Sequence, residues 1–536
     1  MTLFSRPSRP HCQPWRWSMS VGQGVRCLLL LTLLGAGSLH MPLASGADTV
    51  PGPSNPARLP SLGDGSEISL GEERRLGDSI MREILRDPDV IEDPVLAEYV
   101  GSIWQRLIEA AKLRGELSPE LEEQFSWELM LIRDKSVNAF ALPGGYMGVH
   151  LGLIGVVSNQ DELASVLGHE LSHITQRHIA RMLTQQQQQS PLMIASMILG
   201  LLAATRNPQA AQAVMVGGQA VAVQTQLNFS RDMEREADRV GYGVATQAGF
   251  EPAGFVTMFE KLLHASRLND NGGYPYLRSH PLTTERIADM QSRQQLLPTR
   301  AGAGATDLRH TLLSARARVL SQPNVDALRH FSQDAASQHA TPARQAAALY
   351  AAVLADSRLR DLERARQRLA ALTLLTQGDA TARELVQLLS AELSLASGQP
   401  LQAVAQLQIL PQRRTIQLLL AQARIATGLP DQGRLAAQDL QKFVSTNTRD
   451  RQSWDLLGQA LGLQGDALRS LRAQAEASAL RWEYVGALDR LKSAQELARS
   501  KARAGTLSRS DEMEASIIDT RARVFQSARR EQMLQR

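Results

Sequence analysis

The sequence predicts a mostly α protein in two parts: an α+β domain with a small sheet over residues 68–297, then a helical solenoid over residues 308–536. Three observations carry that division. Extended, strand-like patterning is confined to a short stretch between Trp127 and His150, inside a region otherwise apolar at helical spacing. Beyond residue 307 the composition shifts to Ala, Leu, Gln and Arg in helical period. Turn glycines there, Gly398, Gly428 and Gly465, are spaced by 30 and 37 residues, which brackets the 34-residue repeat of two-helix solenoids. Between the two parts, residues 298–307 run through Pro298 and an Ala-Gly alternation, the composition of a linker. A chain of 536 residues also exceeds one ordinary domain.

Residues 1–47 read as an export signal. Arg16 and Arg26 precede the apolar run Leu28–Leu34, and small residues end at Ser45, Gly46 and Ala47, where a signal peptidase would cut. The basic region is long, which makes the internal Met19 a candidate start. The run is too short to span a bilayer, and Cys27 lies before it, which argues against a lipid-modified cysteine. Residues 48–67, with Pro51, Pro53, Pro56 and Pro60, read as a flexible leader. A helix starts at Ser69 with Glu72 and Glu73 in its first turn, and a second runs from about Asp93 to Lys112. Trp127–Ile132 reads as a strand, and Asn138 to His150 as a hairpin around Pro143-Gly144-Gly145. Residues 181–226 form an insert: a glutamine run at 185–189, apolar Leu192–Ala204, a break at Asn207-Pro208, and apolar Ala210–Val223. Each arm is short of the roughly 20 residues that cross a membrane. Core helices, a lid over a cleft, and a hairpin resting on a membrane surface all fit it. In the solenoid, Trp454-Asp455-Leu456-Leu457-Gly458 matches the opening of the tetratricopeptide consensus, with Gly465-Asp466 at the inter-helix turn. The other repeats are degenerate, so a plain helical bundle is the alternative. Stacked repeats would present a concave face to extended peptides or partner proteins.

The formal net charge of +4 conceals a split. Residues 1–47 hold four arginines and no acid, residues 48–300 about −9 and residues 301–536 about +9. Basic arginines spread through helical repeats without aromatic stacking partners do not make a nucleic-acid surface, and that class is excluded. Cys12 and Cys27 both precede residue 30, so a chain cut after Ala47 has neither disulfides nor thiol chemistry.

The chemistry concentrates at His169-Glu170-Leu171-Ser172-His173. Two imidazoles four residues apart on a helix stack on one face and can share one Zn²⁺, while Glu170, about 100° around, can reach a water held by the metal as general base. Val166, Leu167, Leu171 and Ile174 give that helix an apolar stripe to bury. A catalytic zinc needs a third protein ligand. Gln176 and Ile179 stand where the metzincin pattern requires Gly and His, which excludes that class. The remaining candidate is Glu234-Arg235-Glu236-Ala237-Asp238: Glu234 would bind the metal, and Asp238, on the same face, would accept the second ring N–H of a ligand histidine. A solvated helix with charge pairs is the alternative reading.

His169 to His173, the Asn138-Ala139-Phe140 and Pro143-Gly144-Gly145 hairpin, and Glu234 to Asp238 followed by Gly241 together resemble the gluzincin metallopeptidases that include the CAAX prenyl peptidases and bacterial heat-shock membrane peptidases. The resemblance covers about residues 68–295. It implies one zinc per chain on His169, His173 and Glu234, with Glu170 and Asp238 as catalytic groups. It implies that His280, in Ser279-His280-Pro281, occupies a fourth zinc position and keeps the enzyme latent; without it, His280 reads as a surface loop residue. Arg286 would steady the oxyanion, or pair with Glu285 or Asp289. Zinc-assisted hydrolysis of an extended peptide is expected, the substrate pairing with an edge strand at Met147, Gly148, Val149 and His150. For an exported, repeat-bearing member, the expectation is a periplasmic endopeptidase that degrades misfolded or stalled outer-membrane proteins and assists their assembly. Its repeats would contact the assembly machinery, and the insert a membrane surface. A chaperone or scaffold with a mostly shut peptidase is the rival, and an exported aminopeptidase a third reading.

Overall fold

The computed structural model describes residues 68–185, 230–267, 273–295, 307–335 and 341–534. The export signal at 1–47, the leader at 48–67, the insert at 181–226 beyond residue 185, and the linker at 298–307 short of its last residue lie outside the described residues.

Helix α1 (Leu70–Ile84) begins at a capping box, in which the Ser69 side chain accepts from the Glu72 N–H and Glu72 returns a bond to the Ser69 N–H. A short β1 (Val90–Ile91) follows, then α2 (Pro94–Leu113), capped by Asp93 with proline in its first turn. After α3 (Pro119–Gln124) come β2 (Glu128–Ile132), β3 (Ala139–Leu142) and β4 (Tyr146–His150). Gly144 and Gly145, with φ of 76° and 85°, make the β3–β4 turn that a side chain would strain. The sheet order is β1-β2-β4-β3, with β4 antiparallel to β3 and parallel to β2. This corrects the expected substrate strand. Met147 to His150 lie on β4, which is bonded on both sides, Met147 pairing with Leu129 and with Ala141. Among the described residues the edge strands are β1 and β3; β3 is outermost because β2 takes the inner side of β4 and leaves its hairpin partner outside.

β4 passes directly into α4 (Leu151–Val156), and Asn159 caps α5 (Gln160–Thr175). Every residue of α5 from Glu162 to Thr175 is buried, so its polar side chains sit in the core rather than on a solvent face. Around it lie α6 (His178–Gln185), α7 (Arg231–Gln247), α8 (Ala253–Arg267), the single turn α9 (Tyr276–Ser279) and α10 (Thr284–Gln295).

The second part consists of helices α11 (Leu308–Ser321), α12 (Val325–Asp334), α13 (Pro342–Arg358), α14 (Leu362–Leu375), α15 (Ala380–Ala396), α16 (Pro400–Leu407), α17 (Arg414–Ala426), α18 (Pro430–Thr446), α19 (Arg451–Leu463), α20 (Ala467–Ala479), α21 (Tyr484–Arg503) and α22 (Arg509–Leu534). From α12 onward each helix packs mainly on its sequence neighbours, whereas α11 packs on α13 and on α4 of the first part. Gly398, Gly428 and Gly465 each follow a helix at positive φ, the left-handed stop that glycine adopts without strain. The two parts share one apolar core, which runs from Leu107 and Leu167 through Leu312 and Val319 to Leu389 and Leu419. At this seam His310 on α11 meets the Tyr99 hydroxyl at 2.6 Å and the Val157 carbonyl at 2.9 Å. Acidic Asp93 meets Arg316 at 2.7 Å, and Glu128 meets Arg449 at 2.7 Å. Opposite charges on the two parts therefore face each other across the junction. Among the described residues, no helix is long and apolar enough to cross a membrane.

Candidate metal centre

Two helices build the centre. Helix α5 supplies His169, Glu170 and His173; α7 supplies Glu234 and Asp238. The helices cross where Gly241 lies on Gly168: a Cβ at 241 would fall 2.9 Å from the Gly168 carbonyl and the His169 nitrogen. Without side chains between them, the main chains approach closely enough for short carboxylates on one helix to reach imidazoles on the other.

One ligand atom each from His169, His173, Glu234 and His280 lies within 4.8 Å of the others, and all four residues are buried. His169 and His173 face each other through their Nε2 atoms at 3.0 Å, and each Nε2 is 3.5 Å from a Glu234 oxygen. Two imidazoles and a carboxylate at this spacing form the donor set of a catalytic zinc. Glu170 stands beside them, fully buried. Its Oε2 accepts the Ala141 N–H at 3.0 Å, while Oε1 is without a hydrogen bond, 3.3 Å from His280 Nε2. A buried carboxylate with an unused lone pair next to convergent metal donors suits a cation and its water. The residues present fit Zn²⁺.

Charge distribution follows from burial and partners. Burial opposes the charged form of His169, yet the hydrogen bond to Asp238 at 2.9 Å and the Glu234 carboxylate raise it to about 9. Burial, then repulsion from His169, holds His173 well below the ordinary histidine range. Burial would raise the Glu234 and Asp238 carboxyls, but the histidines around Glu234, and Arg286 with His169 at Asp238, bring both below the usual range. Asp238 lies at His169 Nδ1, where a ligand histidine carries its remaining proton.

His280 is buried inside the cluster rather than on the surface. It is 3.0 Å from Glu234 Oε1 and 3.3 Å from His169 Nε2, and its ring stacks on Tyr276 at 4.7 Å. Arg286 departs from both expectations held for it. Glu285 pairs with Arg235 and Asp289 with Arg293, whereas the Arg286 guanidinium grips Asp238 at 2.6 and 2.8 Å, lies 2.7 Å from Glu234 and donates to the Pro281 carbonyl. Its donors lie on these groups, so in this structure it braces the ligands from behind.

Sequence reasoning missed His178, Glu236 and Tyr276. His178 Nδ1 is 2.9 Å from His173 Nδ1, and its Nε2 is 3.1 Å from Glu236. Burial lowers His178 to about 4, so it is neutral at pH 7. Five residues along a continuous helix would put His178 on a different face from His173. Arg177, at φ 52° between α5 and α6, turns the chain back. The one available signal was a third histidine within ten residues.

The sequence signature of peptidase family M48 matches residues 94–294. The beta-barrel assembly-enhancing protease of Escherichia coli (strain K12) is 30% identical over 487 residues, covering 89% of this chain and 93% of the relative. The Yersinia pestis protein of the same name is 29% identical over 474 residues, covering 87% and 93%. The mitochondrial metalloendopeptidase OMA1 of Saccharomyces cerevisiae is 28% identical over 201 residues, covering 36% and 55%. The bacterial alignments are long enough to include both parts of the fold.

Proposed function

From the premise that this chain belongs to peptidase family M48, a family of zinc-dependent metalloendopeptidases, we propose that it is exported to the periplasm. There it cuts stalled or misfolded outer-membrane β-barrel proteins and assists their assembly. The names of the bacterial relatives support the assembly role. The basic and apolar pattern before Ala47 supports export. The observation that carries the hydrolytic reading is the convergence of His169, His173 and Glu234 with Glu170 beside them.

His169, His173 and Glu234 would hold the zinc, which supplies a Lewis acid able to activate water and polarise a carbonyl. Glu170, oriented by the Ala141 N–H, takes a proton from the attacking water and hands it to the departing amine. Asp238 accepts the His169 Nδ1 proton, and Arg286 holds Asp238 in that position. An extended substrate adds to the outer edge of β3, where the Ala141 N–H is already held by Glu170 and the remaining outward main-chain groups of Ala139 and Ala141 would take the added strand. Residue Glu170 itself contacts that edge, so the strand aligns the scissile bond with the base.

A second reading, a scaffold whose peptidase is largely shut, is favoured by one feature: His280 is buried among the ligands. Both readings meet in one regulatory step, in which His280 leaves the centre before a substrate enters. Repeat helices would then hold the client protein or the outer-membrane assembly machinery. Casein digestion by zinc-loaded variants tests the catalytic assignment. Glu170→Gln should retain zinc and lose about 10²–10⁴-fold in rate, while His280→Ala should raise basal cleavage. Full activity in Glu170→Gln removes the base, and unchanged or lower activity in a folded His280→Ala removes the latch. Rescue of an assembly defect by Glu170→Gln would assign that work to the scaffold.

A further inference from the structure

A ligand imidazole gives one nitrogen to the metal, so its other nitrogen carries a proton that needs an acceptor. For His169 that acceptor is Asp238. His173 has an arrangement of another kind. Its Nε2 faces the cluster, and its Nδ1 meets the ring of His178 at 2.9 Å. We propose that His178 and Glu236 form a positioning relay that fixes the ring and tautomer of His173. This rests on the reading of His169, His173 and Glu234 as the zinc ligands.

The proton count leaves one consistent arrangement. Two ring nitrogens 2.9 Å apart cannot both donate and cannot both accept. With His173 Nε2 bare for the metal, its Nδ1–H donates and His178 Nδ1 accepts. The single proton of neutral His178 is then on Nε2, which is where Glu236 Oε2 lies, at 3.1 Å. Glu236 is in turn held by Arg181 at 2.8 Å. Each donor in the chain from His173 to Glu236 meets an acceptor.

The backbone is bent to make this contact. Arg177 adopts a left-handed conformation, at φ 52°, that a residue with a side chain rarely takes. Its guanidinium is anchored 2.9 Å from the buried Glu73 and 2.6 Å from the Ile68 carbonyl. Those anchors hold the turn that swings His178 beneath His173. Helix α7 thus furnishes Glu234 to the cluster, Asp238 to His169 and, through His178, Glu236 to His173. Both ligand histidines are oriented from the same helix, one directly and one through an intermediate ring.

The test is zinc affinity of the full chain, measured by competition with a chromophoric chelator. His178→Ala should weaken zinc binding by about 10–100-fold. His178→Asn should recover most of that loss, because its side-chain oxygen sits near the place of Nδ1 and can accept from His173. Glu236→Gln, which keeps an acceptor but removes the charge, should fall between wild type and His178→Ala. In the zinc-loaded wild type, the His173 Nδ1 proton should give a slowly exchanging NMR signal that disappears in His178→Ala. An affinity within twofold of wild type in folded His178→Ala, or an Asn variant no better than Ala, overturns the relay. Should His178→Ala fail to fold, an unchanged affinity in both Glu236→Gln and His178→Asn without that NMR signal in wild type does so. A wild-type chain that takes up no zinc overturns the ligand assignment itself, a different outcome from tight wild-type binding that the variants leave intact.

Discussion

The catalytic and repeat parts bury polar side chains in different ways. In the catalytic part the contacts join distant residues: His169 to Asp238 across 69 positions, His280 to Glu234 across 46, Ala141 to Glu170 across 29. In the C-terminal helices, away from the seam, buried charges pair one to one with a helix one or two along the chain: Asp356 with Arg368 across 12 positions, Arg472 with Glu514 across 42 and Glu476 with Arg521 across 45. The remaining core there is mostly Ala and Leu from adjoining helices, with Val444, Trp454, Ile518 and Phe525 among them. Local pairing lets each repeat be completed by its neighbours alone. A centre assembled from four separate segments forms only when the whole catalytic part has folded.

The sharpest way to break this contrast is at the seam. Arg316 is buried between Asp93 of the catalytic part and Glu392 of the repeats, at 2.7 and 2.6 Å. Arg316→Leu leaves two partly exposed carboxylates facing each other and should cost about 3 kcal/mol. Because the apolar core is continuous here, both parts should lose stability in a single denaturant transition. Two separated transitions, with one midpoint unmoved, would mean that the parts fold independently.

Acid should separate the parts more gently. Burial lowers His150, as it does His178, to about 4 from the ordinary 6.5, so both are neutral in the folded protein. Their stabilisation is complete above pH 6.5 and is lost as pH falls from 6.5 towards 4. The chain beyond residue 341 contains no histidine. Hydrogen exchange between pH 6.5 and 4 should therefore show loss of protection around the sheet ahead of the repeats, and His150→Gln should flatten the slope. Equal slopes in the two parts would remove the buried histidines as the cause.

The smallest effect belongs to the exposed rim of the seam. Arg449 and Glu128 are about half exposed, and Arg449→Ala should change stability by less than about 1 kcal/mol, with even that difference vanishing in high salt. A larger, salt-insensitive loss in thermal melts would indicate that the rim contributes through packing.

The same contrast explains what could be read before any coordinates. The helix stops after α15, α17 and α19 were legible in Gly398, Gly428 and Gly465 because local structure sets local sequence. The His169/His173 spacing was legible for the same reason: both rings belong to one helix. Sheet order was not, since nothing in Met147 to His150 records that β2 would join its other side. Nor were the α7 partners of Arg286, Asp238 and Glu234, 48 and 52 positions away, or the role of His178, which depends on one left-handed residue. Helical periodicity carries no information across such a break.

The crossing of Gly168 and Gly241 limits where the centre can move. Main-chain atoms in contact are nearly incompressible, and no rotamer change can widen or narrow that joint. Among the described residues, the short segment from Tyr276 to Pro281 approaches the histidines from outside the helix pair, so the proposed departure of His280 would fall to that segment. If the latch acts as proposed, the helix crossing is its stationary anvil, and substitutions around His280 within that segment would retune access while leaving the joint untouched.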